Sequence, residues 1–139
     1  MTHAPFFAFL EPSEESALLQ AAALKMFQRH EIIVAENISS RALYIIEHGS
    51  VKIERENGAT MVPLAILARG ELFGEMSFVD SGRTSARVVA REPTQVRIVD
   101  TGVLDKFEET DPTFASRLYR SIAAILVERL RTTSLNCYI

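Results

Sequence analysis

Between Leu24 and Asp100 the chain breaks into short segments of strand-forming character: LKMFQ, EIIVA, ALYIIE, SVKIERE, MVPLAIL, SARVVA and TQVRIVD. Turn signals fall between them, notably Glu47-His48-Gly49, Glu56-Asn57-Gly58, Ala68-Arg69-Gly70 and Asp80-Ser81-Gly82. Their spacing is that of an antiparallel sandwich or barrel. Val51-Lys52-Ile53-Glu54 alternates cleanly, so one face of that strand belongs in a core and the other in water. Asn57-Gly58 is the best hairpin turn, because both residues tolerate positive φ.

The flanks have a different texture. Apolar Phe6 to Leu10 runs into Glu11-Pro12-Ser13-Glu14-Glu15, which supplies a capping serine and first-turn carboxylates for a helix over 11–23. Its apolar face includes Ala17, Leu18 and Ala21. Beyond Asp100, a short segment with Val103, Leu104 and Phe107 precedes Asp111-Pro112, read as an N-cap with proline at the first helical position. A longer helix follows from about Thr113 to Arg131. Its stripe is Phe114, Leu118, Ile122, Ile125 and Leu126, with Arg117, Arg120, Glu128, Arg129 and Arg131 mostly on other faces. Two readings of this helix stay open: packing on the strands, or a dimer seam that also uses Ala123, Ala124 and Leu130.

At 139 residues a single domain with one core is expected, divided as helix 11–23, strands 24–100 and helices 101–135. The fold class is mainly β with flanking α, an antiparallel, jelly-roll-like β-roll. A formal net charge of −3 provides no general basic field for a phosphate backbone, so no nucleic-acid partner is expected. No apolar run approaches the roughly 20 residues that span a bilayer, and the start lacks the features of a signal peptide. A cytoplasmic protein without a membrane partner is the expectation. The lone Cys137 excludes an internal disulfide, and His3, His30 and His48 lack zinc-site spacing. No metal or cofactor is expected.

An enzyme is not expected either. Glu14-Glu15 and Glu108-Glu109 are adjacent in sequence, so on helices they diverge as solvated surface groups. Neither a nucleophile elbow nor a phosphate-binding Gly-Lys-Ser/Thr loop is present.

The informative stretch is Gly70-Glu71-Leu72-Phe73-Gly74-Glu75-Met76-Ser77-Phe78, followed by a polar turn and the strand-like Ser85 to Ala90. Its glycines let backbone approach a ligand closely, and a helical turn opening at Gly74-Glu75-Met76 would aim amides outward. Together with Tyr44-Ile45-Ile46-Glu47-His48-Gly49-Ser50-Val51 upstream, the succession resembles the cyclic-nucleotide-binding domain family over almost the full chain. The resemblance implies a β-roll, a Phe-Gly-Glu phosphate-binding cassette and a C-terminal lid helix. It implies cyclic AMP or cyclic GMP as ligand, with Glu75 on the ribose 2′-hydroxyl, the amides around Gly74 to Met76 on the cyclic phosphate, and Phe73 among the ligand-binding residues.

Within that pattern the phosphate-pairing arginine falls on Thr84, followed by small Ser85 and Ala86. Arg83 is one step too early, and in extended chain one step turns a side chain to the opposite face. A threonine hydroxyl can hydrogen-bond a phosphate, but it lacks the charge and the bidentate fork of a guanidinium. Weak binding is therefore expected. His30 replaces the family's usual glycine before the second strand, and the Glu-Gly-Asp turn reads Glu36-Asn37-Ile38, where Asn37 tolerates left-handed geometry. The alternative is a ligand-free interaction module on the same fold. In either case the C-terminal helix is the expected route to a homodimer or a protein partner.

Overall fold

A computed structural model describes residues 6–133, so His3 and Cys137 lie outside the described residues. Helix α1 (Pro12–Ala21) leads into β1 (Ala23–Phe27), β2 (Ile32–Val34), β3 (Ala42–His48), β4 (Ser50–Asn57), β5 (Thr60–Ala68) and β6 (Leu72–Phe73). Helix α2 (Glu75–Asp80), strands β7 (Arg87–Ala90) and β8 (Thr94–Asp100), and helices α3 (Thr101–Thr110) and α4 (Phe114–Thr133) complete the order. The strands make two antiparallel four-stranded sheets, β1-β8-β3-β6 and β2-β7-β4-β5. This is the β-roll with flanking helices that the pattern of strands and turns predicts.

Alternation along β3 explains the layering. Leu43 and Ile45 point to a cluster formed with the helices, whereas Tyr44 and Ile46 point between the sheets. Both faces of β3 are covered, so its sequence reads as a nearly continuous apolar run. Between the sheets lie Phe27, Val34, Ile46, Val51, Phe73, Val88 and Val96. On the other side of the first sheet, Leu18 of α1 and Leu104 of α3 pack with Phe114, Leu118 and Ile122 of α4. Phe114, Leu118 and Ile122 of the α4 stripe are thus buried on the roll and Ile125 and Leu126 half-buried against it, while Val127 and Leu130 each remain 44% exposed. Among the described residues no helix is long and apolar enough to cross a membrane.

Several local expectations need correction. Helix α1 is capped by Glu11 rather than Ser13, because Pro12 takes the first helical position and the Glu14 carboxylate accepts the Glu11 N–H at 2.8 Å. Its Ala17 and Ala21 are exposed, and Leu18 with Ala22 faces the core instead. The β4–β5 hairpin pairs Asn57 with Thr60, leaving Gly58-Ala59 as the two-residue loop. Positive φ is needed at Gly58 (67°) and not at Asn57, the pattern of a turn with glycine at its first central position. Helix α4 starts at Phe114, so Pro112 sits in the preceding turn, where the Asp111 carboxylate accepts the Thr113 N–H and hydroxyl. His30 and Asn37 both adopt left-handed geometry, at φ 71° and 60°.

The adjacent acids of α1 are not simply solvated. Glu15 accepts the Phe7 N–H at 2.8 Å, and Glu14 takes both terminal nitrogens of Arg117 at 2.6 and 2.7 Å. Arg117 also reaches Asp111 at 2.7 Å, so one guanidinium ties α1 to the α3–α4 turn and to α4. The hydrogen bonds from Arg117 hold the Glu14 carboxyl below its usual range. Asp111 is lowered chiefly by the Thr113 hydroxyl and N–H, with Arg117 adding to it. Carboxyls depressed in the folded state contribute stability that is complete above their unfolded pKa and lost as pH falls through the folded values. Thermal stability should therefore drop on acidification below about pH 4. Arg117→Gln should flatten that acid limb; melting curves of both chains from pH 7 to 2.5 check it, and parallel limbs would refute it.

Candidate functional site

Strand β6 delivers the chain to Gly74, whose φ of 85° is left-handed. A Cβ there would lie 2.7 Å from the Ala42 carbonyl and 3.0 Å from the Tyr44 ring, so only glycine lets the backbone pass this close to β3. The rings of Tyr44 and Phe73 stack beneath the turn at 4.9 Å. Helix α2 then anchors by burying Phe78 fully, while the Arg41 guanidinium holds the Phe78 carbonyl at 2.8 and 3.2 Å. The β6–α2 corner is thereby fixed on the first sheet.

A cavity of about 110 Å³ opens between this corner and the start of β7. From the corner, Phe73, Gly74, Glu75, Met76 and Ser77 line it; from the β7 side, Thr84, Ser85, Ala86 and Val88 do so. Val34 and Ile53 complete its apolar wall. Of the residues expected at a site, Arg83 alone is absent from this lining. Its Nε donates to the carbonyl and the side-chain oxygen of Asn37, at 3.0 Å each, which turns the guanidinium toward the β2–β3 loop.

Thr84 lines the cavity as expected of a site residue, while its hydroxyl is engaged by the β2–β3 loop. Its hydroxyl donates its proton to the Ala35 carbonyl at 2.6 Å and accepts the Ile38 N–H at 3.1 Å. Its backbone exchanges two further bonds with Asn37 and Ile38. The hydroxyl is therefore committed to pinning the left-handed turn at Asn37 and has no proton for a ligand.

Glu75 is the one ionisable side chain in the lining, and it is 9% exposed. Arg129 of α4 approaches from outside the cavity, donating to Glu75 Oε1 at 3.0 Å and to the Leu72 carbonyl. Burial of a carboxylate is costly unless it is paired, and Arg129 supplies the pair. None of the described α4 residues lines the cavity, so α4 does not close over it as a lid; it grips the cassette from behind. Met76 is 58% exposed and leaves mainly its backbone at the rim.

Among the residues that the motif does not mark, Ile53 is signalled by the alternation of β4. Val34 and Val88 read as ordinary core valines. Arg129 carries no local signal, because its contact depends on where a 20-residue helix lands.

A family model described as "Cyclic nucleotide-binding domain" matches residues 24–111. The chain is 34% identical over 97% of its length to the "Cyclic AMP receptor protein" of Thermus thermophilus, and spans 61% of that protein. A "Potassium/sodium hyperpolarization-activated cyclic nucleotide-gated channel 3" from Mus musculus is 28% identical over 94% of the chain, which spans 16% of the channel. Among solved structures, the catabolite activator protein of Thermus thermophilus superposes with a TM-score of 0.79 at 31% identity, covering 95% of this chain and 61% of that one.

Proposed function

The chain belongs to the cyclic nucleotide-binding domain family, and on that premise we propose that it is a regulatory domain with a cyclic-nucleotide-type pocket that lacks its phosphate cation. Phe73, Gly74, Glu75, Met76, Ser85 and Ala86 are the ligand-facing residues of this reading. The observation that carries it is the pairing of Arg83 with Asn37 while Thr84, at the arginine position, spends its hydroxyl on the loop. Losing one partner of a charge-assisted contact costs about 2–5 kcal/mol, or roughly a 30-fold to several-thousand-fold loss in affinity.

Arg129 gives the pocket a route outward. A ligand that draws Glu75 toward itself competes with Arg129 for the same carboxylate, and Arg129 belongs to α4. Occupancy would then be felt along the helix that faces any effector. No catalytic role is assigned to the cavity, because its single carboxylate is already paired.

Calorimetry with cyclic AMP and cyclic GMP tests the reading. Dissociation constants of tens of micromolar or weaker are expected; submicromolar binding with Arg83 swung onto the phosphate would overturn it. A second reading, a ligand-free interaction module, is favoured by the spacing of Ala123, Val127 and Leu130, exposed at i, i+4 and i+7 on α4. Sedimentation in the same solutions separates the two: this module self-associates without responding to nucleotide, and the sensor responds.

A further inference from the structure

Resting on the reading of the cavity as a nucleotide-type pocket, we infer that its preferred ligand is uncharged: a ribonucleoside with its hydroxyls intact, selected over the corresponding cyclic phosphate. The charge inventory leads there. The lining contains one carboxylate, Glu75, and no Lys, Arg or His among the described residues. Arg83 is held on Asn37 and the Thr84 proton is given to Ala35. A phosphodiester anion placed in this cavity shares the lining with a carboxylate and finds no cation there.

The cation that does approach, Arg129, already pairs with Glu75 and donates to the Leu72 carbonyl. It brings the site close to neutrality without offering charge to the phosphate end. A cationic ligand gains little from a carboxylate so compensated, and an anion gives up its hydration with no cation in the lining to take water's place. A neutral ligand suffers neither penalty.

The remaining features suit hydroxyl donors on an apolar body. Glu75 Oε1 takes Arg129, and its second oxygen is left to accept from a sugar hydroxyl. Among the described residues the Ser77 hydroxyl donates to no protein acceptor, and that of Ser85 likewise, so both can serve a ligand. Val34, Ile53, Phe73 and Val88 offer an apolar wall to the faces of a sugar or base. At about 110 Å³ the cavity is smaller than the roughly 300–1,000 Å³ of most ligand pockets, which fits a sugar held inside with the base over the open mouth.

Adenosine, guanosine, their 3′,5′-cyclic phosphates and 2′-deoxyadenosine, titrated by calorimetry and saturation-transfer NMR against the full chain, test this. Each nucleoside is expected to bind at least about tenfold tighter than its cyclic phosphate, since desolvating an anion without a partner costs that much or more. 2′-Deoxyadenosine should lose about tenfold or more by removing a hydroxyl from a site built to accept it. Glu75→Gln, which removes the one carboxylate of the lining and so makes its surroundings more positive, should narrow the gap between adenosine and cyclic AMP. Cyclic AMP binding weakly, with adenosine weaker still or absent, overturns this inference and leaves the weak-pocket reading in place. Submicromolar cyclic AMP removes both, and silence from every probe with a folded chain removes both in favour of the interaction module.

Discussion

Thr84→Arg should raise the affinity for cyclic AMP by at least about 30-fold, the lower end of what a charge-assisted phosphate contact contributes. Position 84 lines the cavity from the β7 side, opposite Gly74 and Glu75, so a guanidinium there enters on the side that now has no cation. The substitution also removes the hydroxyl bonds to Ala35 and Ile38, at a cost of about 1–3 kcal/mol in the ligand-free protein. The backbone bonds linking residue 84 with Asn37 and Ile38 do not depend on the side chain, so the turn at Asn37 keeps its register. A variant that melts a few degrees lower yet binds more tightly is the expected outcome. Thr84→Lys, with a point charge and no fork, should recover less. A folded Thr84→Arg chain with unchanged affinity would sink the assignment of position 84 as the phosphate position. If the native cavity prefers nucleosides, the same substitution should reverse that preference.

How far this was readable beforehand differs from element to element. Strands β4 and β8 announce themselves because their alternation is local and a one-residue slip would expose their apolar side chains, and β3 does so as an apolar run bounded by turn signals. Strand β6 does not, since Leu72–Phe73 is too short to show a period and pairs with β3 only after the chain has turned at Gly70. The cassette is visible because Phe73-Gly74-Glu75, with the strand pair upstream, resembles the family's motif, and the structure supplies the reason for its glycine: nothing larger fits between Gly74, Ala42 and Tyr44.

What Thr84 does with its hydroxyl was not readable, because its partners lie 46 and 49 positions away. Arg129 was hidden for a related reason. A polar residue on an amphipathic helix normally meets water, and its 54-residue reach to Glu75 is set by the packing of Leu118 and Ile122 on the first sheet. Local chemistry names the groups that could act, while tertiary packing decides which of them are already occupied.

That packing makes Leu118 the most sensitive position in the C-terminal region. Its side chain is fully buried in the cluster that joins Phe7, Leu18 of α1, Phe78 of α2 and Phe114 of α4. Leu118→Ala removes the methyl-bearing end of a side chain with helices on one side and β3 on the other, so the surroundings can collapse only in part. The expected cost is about 3–4 kcal/mol, within the range of buried leucine truncations. For a chain of this length that corresponds to a fall in melting temperature of roughly 10–15 °C. Val127→Ala is the matched control on the same helix: its 44% exposure puts the expected change within about 0.5 kcal/mol. Urea unfolding of the two variants checks both, with the slope on denaturant unchanged. A loss below about 1 kcal/mol for Leu118→Ala would mean that α4 is not anchored on the roll as described. A large, concentration-dependent loss for Val127→Ala would instead mean that this side of α4 is covered in solution by a second copy, because only an oligomer's stability varies with protomer concentration.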